Sequence, residues 1–488
     1  MSEKQRKSRV LIVGGGCFGL SMAYALAKRG IYNVIVFDRK DIPVVDAAST
    51  DITKIVRMDY GSETEYMTLA LESLPGWREL DRASRKEFGE SCFHETGVLF
   101  FGRHGQFGSF ERDSIQAFRN LGYSDKIELF ETGQSIVARF PQFESAVSHG
   151  FNIAYFNKLG GWCDSTLAIK TMHLLCREAG IQFVTGLHGC LSQLLFSDSS
   201  HSKVIGIKTS DGKEHFADKV ILATGAWTLG VIDTDDMLVA TAQTVVHVMP
   251  TKQQAFTGTT NFLSGYYGFP SIPSDGRIKI AKHSRGYLNP VDSATLPIRT
   301  SLAETATQSL FVSIPRTRVT HPDDTMPEDA LADVQKFLGD FMPEFKEMPI
   351  IEMRVCWYCD SVDGKFLVSE HPRHQNLSVV SGDSGHGIKF LPIIGEAIVD
   401  IIESRDPVRA GVSLKELWAW KRKGSVEEVD GQESRHSETS ESARGKNRSH
   451  KISAIRAGWT SERPVLEQGH GKMVPLEVLT KARAQANV

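Results

Sequence analysis

The glycines of Gly14-Gly15-Gly16-Cys17-Phe18-Gly19 leave this chain few ways to begin. Ahead of them Val10-Leu11-Ile12-Val13 is a short apolar run with the character of a buried strand. Behind them Leu20, Ala23, Ala25, Leu26 and Ala27 follow a helical pattern until Arg29-Gly30 stops it. A second β-branched run, Val34-Ile35-Val36-Phe37, ends in Asp38, nineteen residues beyond Gly19. Strand, glycine turn, helix and strand make a βαβ unit, and Gly14-x-Gly16-x-x-Gly19 inside it is a dinucleotide fingerprint. The first glycine permits the tight turn, the second lets backbone approach a pyrophosphate, and the third allows close helix–strand packing. The helix N-terminus adds amide donors and the positive end of a dipole. Asp38 is placed to accept hydrogen bonds from an adenosine ribose. The pattern alone does not separate FAD from NAD.

Further along, Lys219-Val220-Ile221-Leu222 reads as a strand entering a turn at Ala223-Thr224-Gly225-Ala226. Leu377-Ser378-Val379-Val380 is another, running into Gly382, Gly385 and Gly387, with a helical pattern over residues 392–402. The middle differs. Residues 243–250, 265–269 and 277–281 are short β-rich pieces between turn residues, which predicts an antiparallel sheet inserted into the α/β framework. At 488 residues the chain outgrows one hydrophobic core, so roughly two or three domains are expected. Met67, Leu71 and Leu74, at helical spacing, read as core. Residues 425–450 are rich in Ser, Glu, Arg, Gly and Asp and nearly free of large apolar side chains, the composition of a disordered tail.

A net charge of -3 gives no electrostatic reason to expect nucleic acid or an anionic membrane as partner. Every apolar run breaks well short of the roughly 20 residues that span a bilayer. The basic start leads straight into the first strand and does not read as a secretory signal. The seven cysteines, Cys17, Cys92, Cys163, Cys176, Cys190, Cys356 and Cys359, are odd in number and scattered, like reduced intracellular thiols. Ala486-Asn487-Val488 is not the usual peroxisomal signal, so a cytoplasmic protein is expected.

Several stretches carry a family resemblance. They are Ala47-Ala48-Ser49-Thr50-Asp51-Ile52-Thr53-Lys54-Ile55-Val56-Arg57-Met58-Asp59-Tyr60-Gly61, Thr96-Gly97-Val98-Leu99-Phe100-Phe101-Gly102, Gly268-Phe269-Pro270, Cys356-Trp357-Tyr358 and Ser384-Gly385-His386-Gly387-Ile388-Lys389-Phe390. In this order and spacing they resemble the monomeric sarcosine oxidase family of FAD-dependent amine oxidases, whose fungal members include pipecolate, saccharopine and fructosyl-amino-acid oxidases. The resemblance covers roughly residues 8 to 423. It implies an α/β fold with a discontinuous Rossmann-like FAD-binding domain, expected over residues 1–92, 164–236 and 352–424. An antiparallel-sheet substrate domain is expected over 93–163 and 237–351, and a polar, partly disordered tail over 425–488. It also implies a monomer that oxidises a small secondary amine to an imine, its flavin reoxidised by O2 to give H2O2.

Individual residues inherit expectations from the same resemblance. Cys356 matches the cysteine that forms a thioether to the flavin's benzenoid methyl group, chemistry that needs a thiolate and favours an electropositive setting. Cys359 completes a Cys-x-x-Cys, but no second pair supplies a zinc site and no thioredoxin-like unit surrounds it; buried structural thiols are the other reading. Lys279 would ordinarily be a solvated lysine on an alternating strand. The match makes it the cation beside the flavin's reactive nitrogen, stabilising developing superoxide. Arg57 and Lys389 match the pair that grips the substrate carboxylate, with an internal salt bridge as the alternative for each. His283, Tyr358 and Tyr267 match positions by the substrate amine, where a histidine can tune amine protonation, or they are packing residues. Lys54 stands where sarcosine oxidases carry a second arginine and is expected near the flavin. Asp59 departs from the bacterial pattern and is expected to pair with Arg57 or bind a substrate amine.

Cofactor contacts are expected from Gly14, Gly16, Cys17, Phe18, Gly19, Asp38, Ser49, Lys54, Ala226, Trp227, Cys356, Gly385, Gly387 and Lys389, with no metal. Fructosyl-amino-acid oxidases typically have an acidic residue where His283 stands and arginine where His386 stands. Both departures point to a sarcosine-like, pipecolate-like or secondary-metabolite substrate that bears a carboxylate. A fructosyl-amino-acid (Amadori) oxidase is the alternative within the class. An NAD-linked dehydrogenase and a non-catalytic binding protein are more remote.

Overall fold

Strand Ser8–Val13 has a parallel partner on either side, Tyr32–Asp38 and Lys219–Leu222, and these three form the middle of a six-stranded sheet. The computed structural model describes residues 7–250, 261–264, 266–272, 276–300, 311–346, 348–421, 466 and 472–486. Across the sheet the order is Leu367–Glu370, Leu377–Ser381, Lys219–Leu222, Ser8–Val13, Tyr32–Asp38, Gln182–Thr185, parallel except at the first pair. Alternate residues feed two separate cores: Val10 and Ile12 pack with helix Cys17–Arg29, Leu11 and Val13 with the opposite side. Burial on both faces is why residues 10–13, 34–37 and 220–222 are unbroken apolar runs. Register pairs Val13 with Phe37 and Leu222, so Gly14, Asp38 and Ala223 leave the sheet along one edge. Outside such an edge, at the carboxyl ends of the strands, an open α/β sheet has its crevice.

The β-rich middle forms an eight-stranded sheet in the order Ile350–Ser361, Leu238–Val248, Ile278–Lys282, Tyr266–Gly268, Asn261–Ser264, Val98–Gly102, Ile153–Asn157, Ile127–Phe130. It is antiparallel except where Asn261–Ser264 meets Val98–Gly102. Of the expected piece 265–269, Gly265 lies outside the described residues. Leu99, Phe101, Ile278, Ile280, Trp357 and Cys359 join the core that includes Phe337 and Phe341 of helix Glu328–Phe341. Their neighbours Val98, Phe100, Lys279, Ala281, Cys356 and Tyr358 therefore stand on the other face. Strand Ile350–Ser361 straddles the expected boundary at 351/352 and pairs with Leu238–Val248 along its length.

Most of the expected tail, residues 425–465, lies outside the described residues. Its last part is ordered against the sheet: helix Leu476–Ala486 packs on strand Ile350–Ser361. There Arg483 donates to the Ile351 carbonyl at 2.7 Å and pairs with Glu352 at 2.8 Å.

Candidate active site

The glycine turn is shaped by contacts that admit no side chain. Gly14 has φ +111°, and a Cβ there would sit 2.2 Å from the Ala223 carbonyl oxygen. Gly19 lies against Gly14 in the same way, which packs the helix onto the strand. The Gly15 amide donates to Asp38 at 2.7 Å, and burial raises the pKa of this carboxyl against that bond. From this turn runs a cavity of about 390 Å³. Gly14, Gly16, Cys17, Phe18, Asp38, Ser49, Lys54, Ala226, Trp227, Gly385 and Gly387 line it, as does Tyr358. Arg39 is stacked 4.2 Å over the Trp227 ring on its wall. A largely apolar cavity that starts at a glycine turn before a helix N-terminus and at a buried carboxylate fits FAD.

The cavity meets the working face of the eight-stranded sheet at Tyr358. Period-two alternation places Arg354, Cys356 and Tyr358 on that face together. Cys356 is buried, packs with Val245, Ala281 and Tyr358, and has Lys54 and Arg354 within electrostatic reach. Cys359, three residues on, faces the opposite core, where Ser381 donates to its sulfur at 3.2 Å and burial pushes its thiol up to about 12. A strand cannot turn both sulfurs to one side, so the Cys-x-x-Cys is not a chelating or redox pair. Among the described residues no group of three or more His, Cys, Asp or Glu could hold a metal.

Around Tyr358 the structure gathers three of the expected residues. The Tyr358 and Tyr267 hydroxyls are 3.4 Å apart, and the His283 ring meets Tyr358 edge-on at 5.6 Å. Gly385 (φ +72°) comes so close that a Cβ would lie 2.4 Å from the Tyr358 ring. Tyr267 also packs on a patch of Ile55, Phe100, Phe110 and Tyr155, which carries the apolar wall toward Arg57. There the Arg57 guanidinium lies 5.2 Å from the Tyr60 ring and 5.1 Å from Phe110, while the Lys389 ammonium lies 5.8 Å from the same Tyr60 ring. Both cations are buried. His386 sits behind Tyr60, its Nδ1 3.3 Å from the Tyr60 hydroxyl and its Nε2 3.2 Å from the Gly364 carbonyl.

Two expected residues take different settings. Asp59 accepts from the Tyr155 hydroxyl and the Asn157 amide, both at 2.9 Å. Burial raises its pKa to about 6, although Arg57 and these two donors pull it down. Lys279 is not a solvated lysine: it is 1% exposed, bonded to Asp51 and, at 2.6 Å, to the Thr53 carbonyl. Arg354 completes this group with an ion pair to Asp51 at 2.7 Å. Sequence reasoning missed Asp51, Arg354 and Tyr60. Arg354 had a signal, two residues before Cys356 on one strand; Asp51 had none beyond its place in a quoted motif.

Comparison with known proteins bears on the cofactor. The model of the family DAO, described as FAD dependent oxidoreductase, matches residues 9–401, and it specifies a flavin where the fingerprint left nicotinamide open. L-saccharopine oxidase of Schizosaccharomyces pombe is 28% identical over 433 residues, 86% of this chain and 94% of the relative. Monomeric sarcosine oxidase of a Bacillus species is 28% identical over 400 residues, 80% and 90% of the two chains. A crystal structure of a modified fructosyl peptide oxidase from Aspergillus nidulans superposes with TM-score 0.76 at 27% identity, covering 89% of this chain and 97% of that one.

Proposed function

Because the chain belongs to the FAD dependent oxidoreductase family, we propose that it oxidises a carboxylate-bearing secondary amine, with O2 as acceptor and H2O2 as product. The observation that carries this reading is the pair of buried cations, Arg57 and Lys389, converging on the Tyr60 ring beside an aromatic wall that ends at Tyr267 and Tyr358. Two buried cations converging on one aromatic ring suit a carboxylate ligand, and a guanidinium can take it bidentately. A substrate held there by its carboxylate extends its amine along Phe110 and Tyr267 toward His283 and Tyr358. His283 is placed to hold the proton that the amine must give up before it reacts. Bound FAD supplies the two-electron acceptor. The aromatic wall excludes water from the reacting carbon.

Cys356 is the proposed point of attachment for the flavin. Its place on the sheet face, next to Tyr358 of the cavity wall, supports attachment there. The relatives support the amine class: by their names, one acts on saccharopine and another on sarcosine. The Bacillus enzyme's name also supports a monomer.

The test is anaerobic. Purified enzyme is mixed with a panel of N-methyl and cyclic amino acids and the flavin absorbance is followed. Bleaching by some members, with peroxide formed on admitting air, is the expected outcome; bleaching by none would sink the reading. Brisk turnover of fructosyl-valine would move the substrate to the Amadori class. For attachment, flavin should stay with the acid-precipitated wild-type pellet and wash out of Cys356→Ser.

A further inference from the structure

The family resemblance gives Lys279 a part in oxygen reduction but leaves its surroundings unexplained. Asp51 is buried, and its two carboxylate oxygens go to different cations, Oδ1 to Arg354 at 2.7 Å and Oδ2 to Lys279. The lysine's remaining bond goes to the Thr53 carbonyl at 2.6 Å. Three charges taken out of water are an expensive way to fill space; apolar residues of similar volume would pack there at least as well. The arrangement has a second cost, since Asp51 must be shared between two partners. Such a network is explained by what it does to one of its members.

We infer that Asp51 is a positioning residue: bonded to Lys279 on one side and Arg354 on the other, it fixes the ammonium group and keeps it charged where oxygen is reduced. The inference rests on the oxidase reading above. A preorganised cation stabilises negative charge developing on oxygen only if it is protonated and in place. The groups facing Lys279 are Asp51 from the loop, Lys54 from strand Lys54–Val56, Arg354 from strand Ile350–Ser361, His247 from the adjacent strand Leu238–Val248, and Cys163 from strand Gly161–Cys163. Burial brings the lysine's pKa down to about 8; Asp51 opposes the fall, while Lys54 and Arg354 add to it. His247 is held neutral by burial, at about 3, and burial pushes the Cys163 thiol up. Neither of them changes charge near pH 8.

Removing the anion and removing the competing cation should therefore act in opposite directions. The holoenzyme is photoreduced without oxygen, so no substrate is needed, and its reoxidation by O2 is timed from about pH 6 to about pH 10. The wild type should be fast at low pH and slow down through one inflection. Asp51→Asn should move that inflection to lower pH and slow reoxidation at neutral pH by about tenfold or more. Arg354→Gln should move it to higher pH, and Asp51→Glu should restore part of the wild-type profile. A pH titration of the oxidised flavin's visible spectrum should show the same shifts without any turnover. An inflection that stays put in Asp51→Asn, or that moves the same way in both variants, overturns the inference. If Asp51→Asn does not fold, Arg354→Gln decides alone: an alkaline shift supports it, and an unmoved or acid-shifted inflection overturns it. If the variants show these shifts but no secondary amine bleaches the wild-type enzyme, the substrate reading is removed and the role of Asp51 stands.

Discussion

In the six-stranded sheet the functional groups lie at or beyond the strand ends, at Gly14–Gly19, Asp38 and residues 223–227, while the strands' inner stretches are mostly apolar and buried. In the eight-stranded sheet they stand on the strands, with Lys279, Arg354, Cys356, Tyr358 and Tyr267 on one face and a continuous core on the other. The contrast follows from burial. A parallel sheet covered on both sides has no face to spare, so its chemistry is confined to loops at one edge. A sheet covered on one side can offer the other as a rigid platform, where side chains are locked at fixed spacing. The first arrangement suits a cofactor bound through backbone; the second suits a reaction that depends on side-chain geometry.

Substitutions at the two sheets should therefore fail differently. The largest effect is expected from Gly14→Val, which puts a branched Cβ against the Ala223 carbonyl at a φ of +111°. The protein should purify colourless, with no visible flavin absorbance; a yellow, stoichiometrically loaded variant would break the assignment of the strand-end crevice. Lys279→Met, on the other sheet, should keep its flavin and lose about a hundredfold or more in reoxidation by O2, measured by stopped flow. Arg57→Met should lose on the order of a hundredfold in kcat/KM, mainly through KM, because the carboxylate loses a charged partner.

A smaller effect, in stability, comes from Asp59. Its folded pKa, near 6, lies above the unfolded value, so the folded chain holds the proton longer. Stability contributed by the protonated form is present at low pH, declines as pH rises from the unfolded value through 6, and stays lost above it. Asp59→Asn should thus gain on the wild type by roughly 2–3 kcal/mol between acidic and neutral pH, seen as a widening gap in Tm. A gap that narrows as pH rises would contradict the burial account. In a Cys356→Ser background, where the flavin can exchange, Arg39→Ala at the Trp227 wall should cost only about 0.5–1 kcal/mol of FAD affinity, a few-fold in Kd.

How legible each sheet was in the sequence follows from the same contrast. Gly14, Gly16, Gly19 and Asp38 lie within one βαβ unit, and their meaning depends on spacing along a few dozen residues. Period-two alternation around Lys279 was equally visible, yet it predicts an outward-facing lysine; nothing local says that the outward face is covered by the loop carrying Asp51 and Thr53. The Cys356 and Cys359 spacing invited a paired reading that the strand's alternation removes. The polar composition ahead of the C-terminus likewise gave no hint that helix Leu476–Ala486 returns to the sheet.

By itself the sequence determined the βαβ unit, the glycine turn and its acid, and the alternating strands of the middle, because each is a local pattern that backbone geometry enforces. Only the tertiary structure decided that Arg57 and Lys389 meet over Tyr60, and that Asp51 lies between Lys279 and Arg354. The physical reason is that these contacts join segments far apart in the chain, through burial and charge. No local spacing encodes the distance between two such segments once the chain has closed over them.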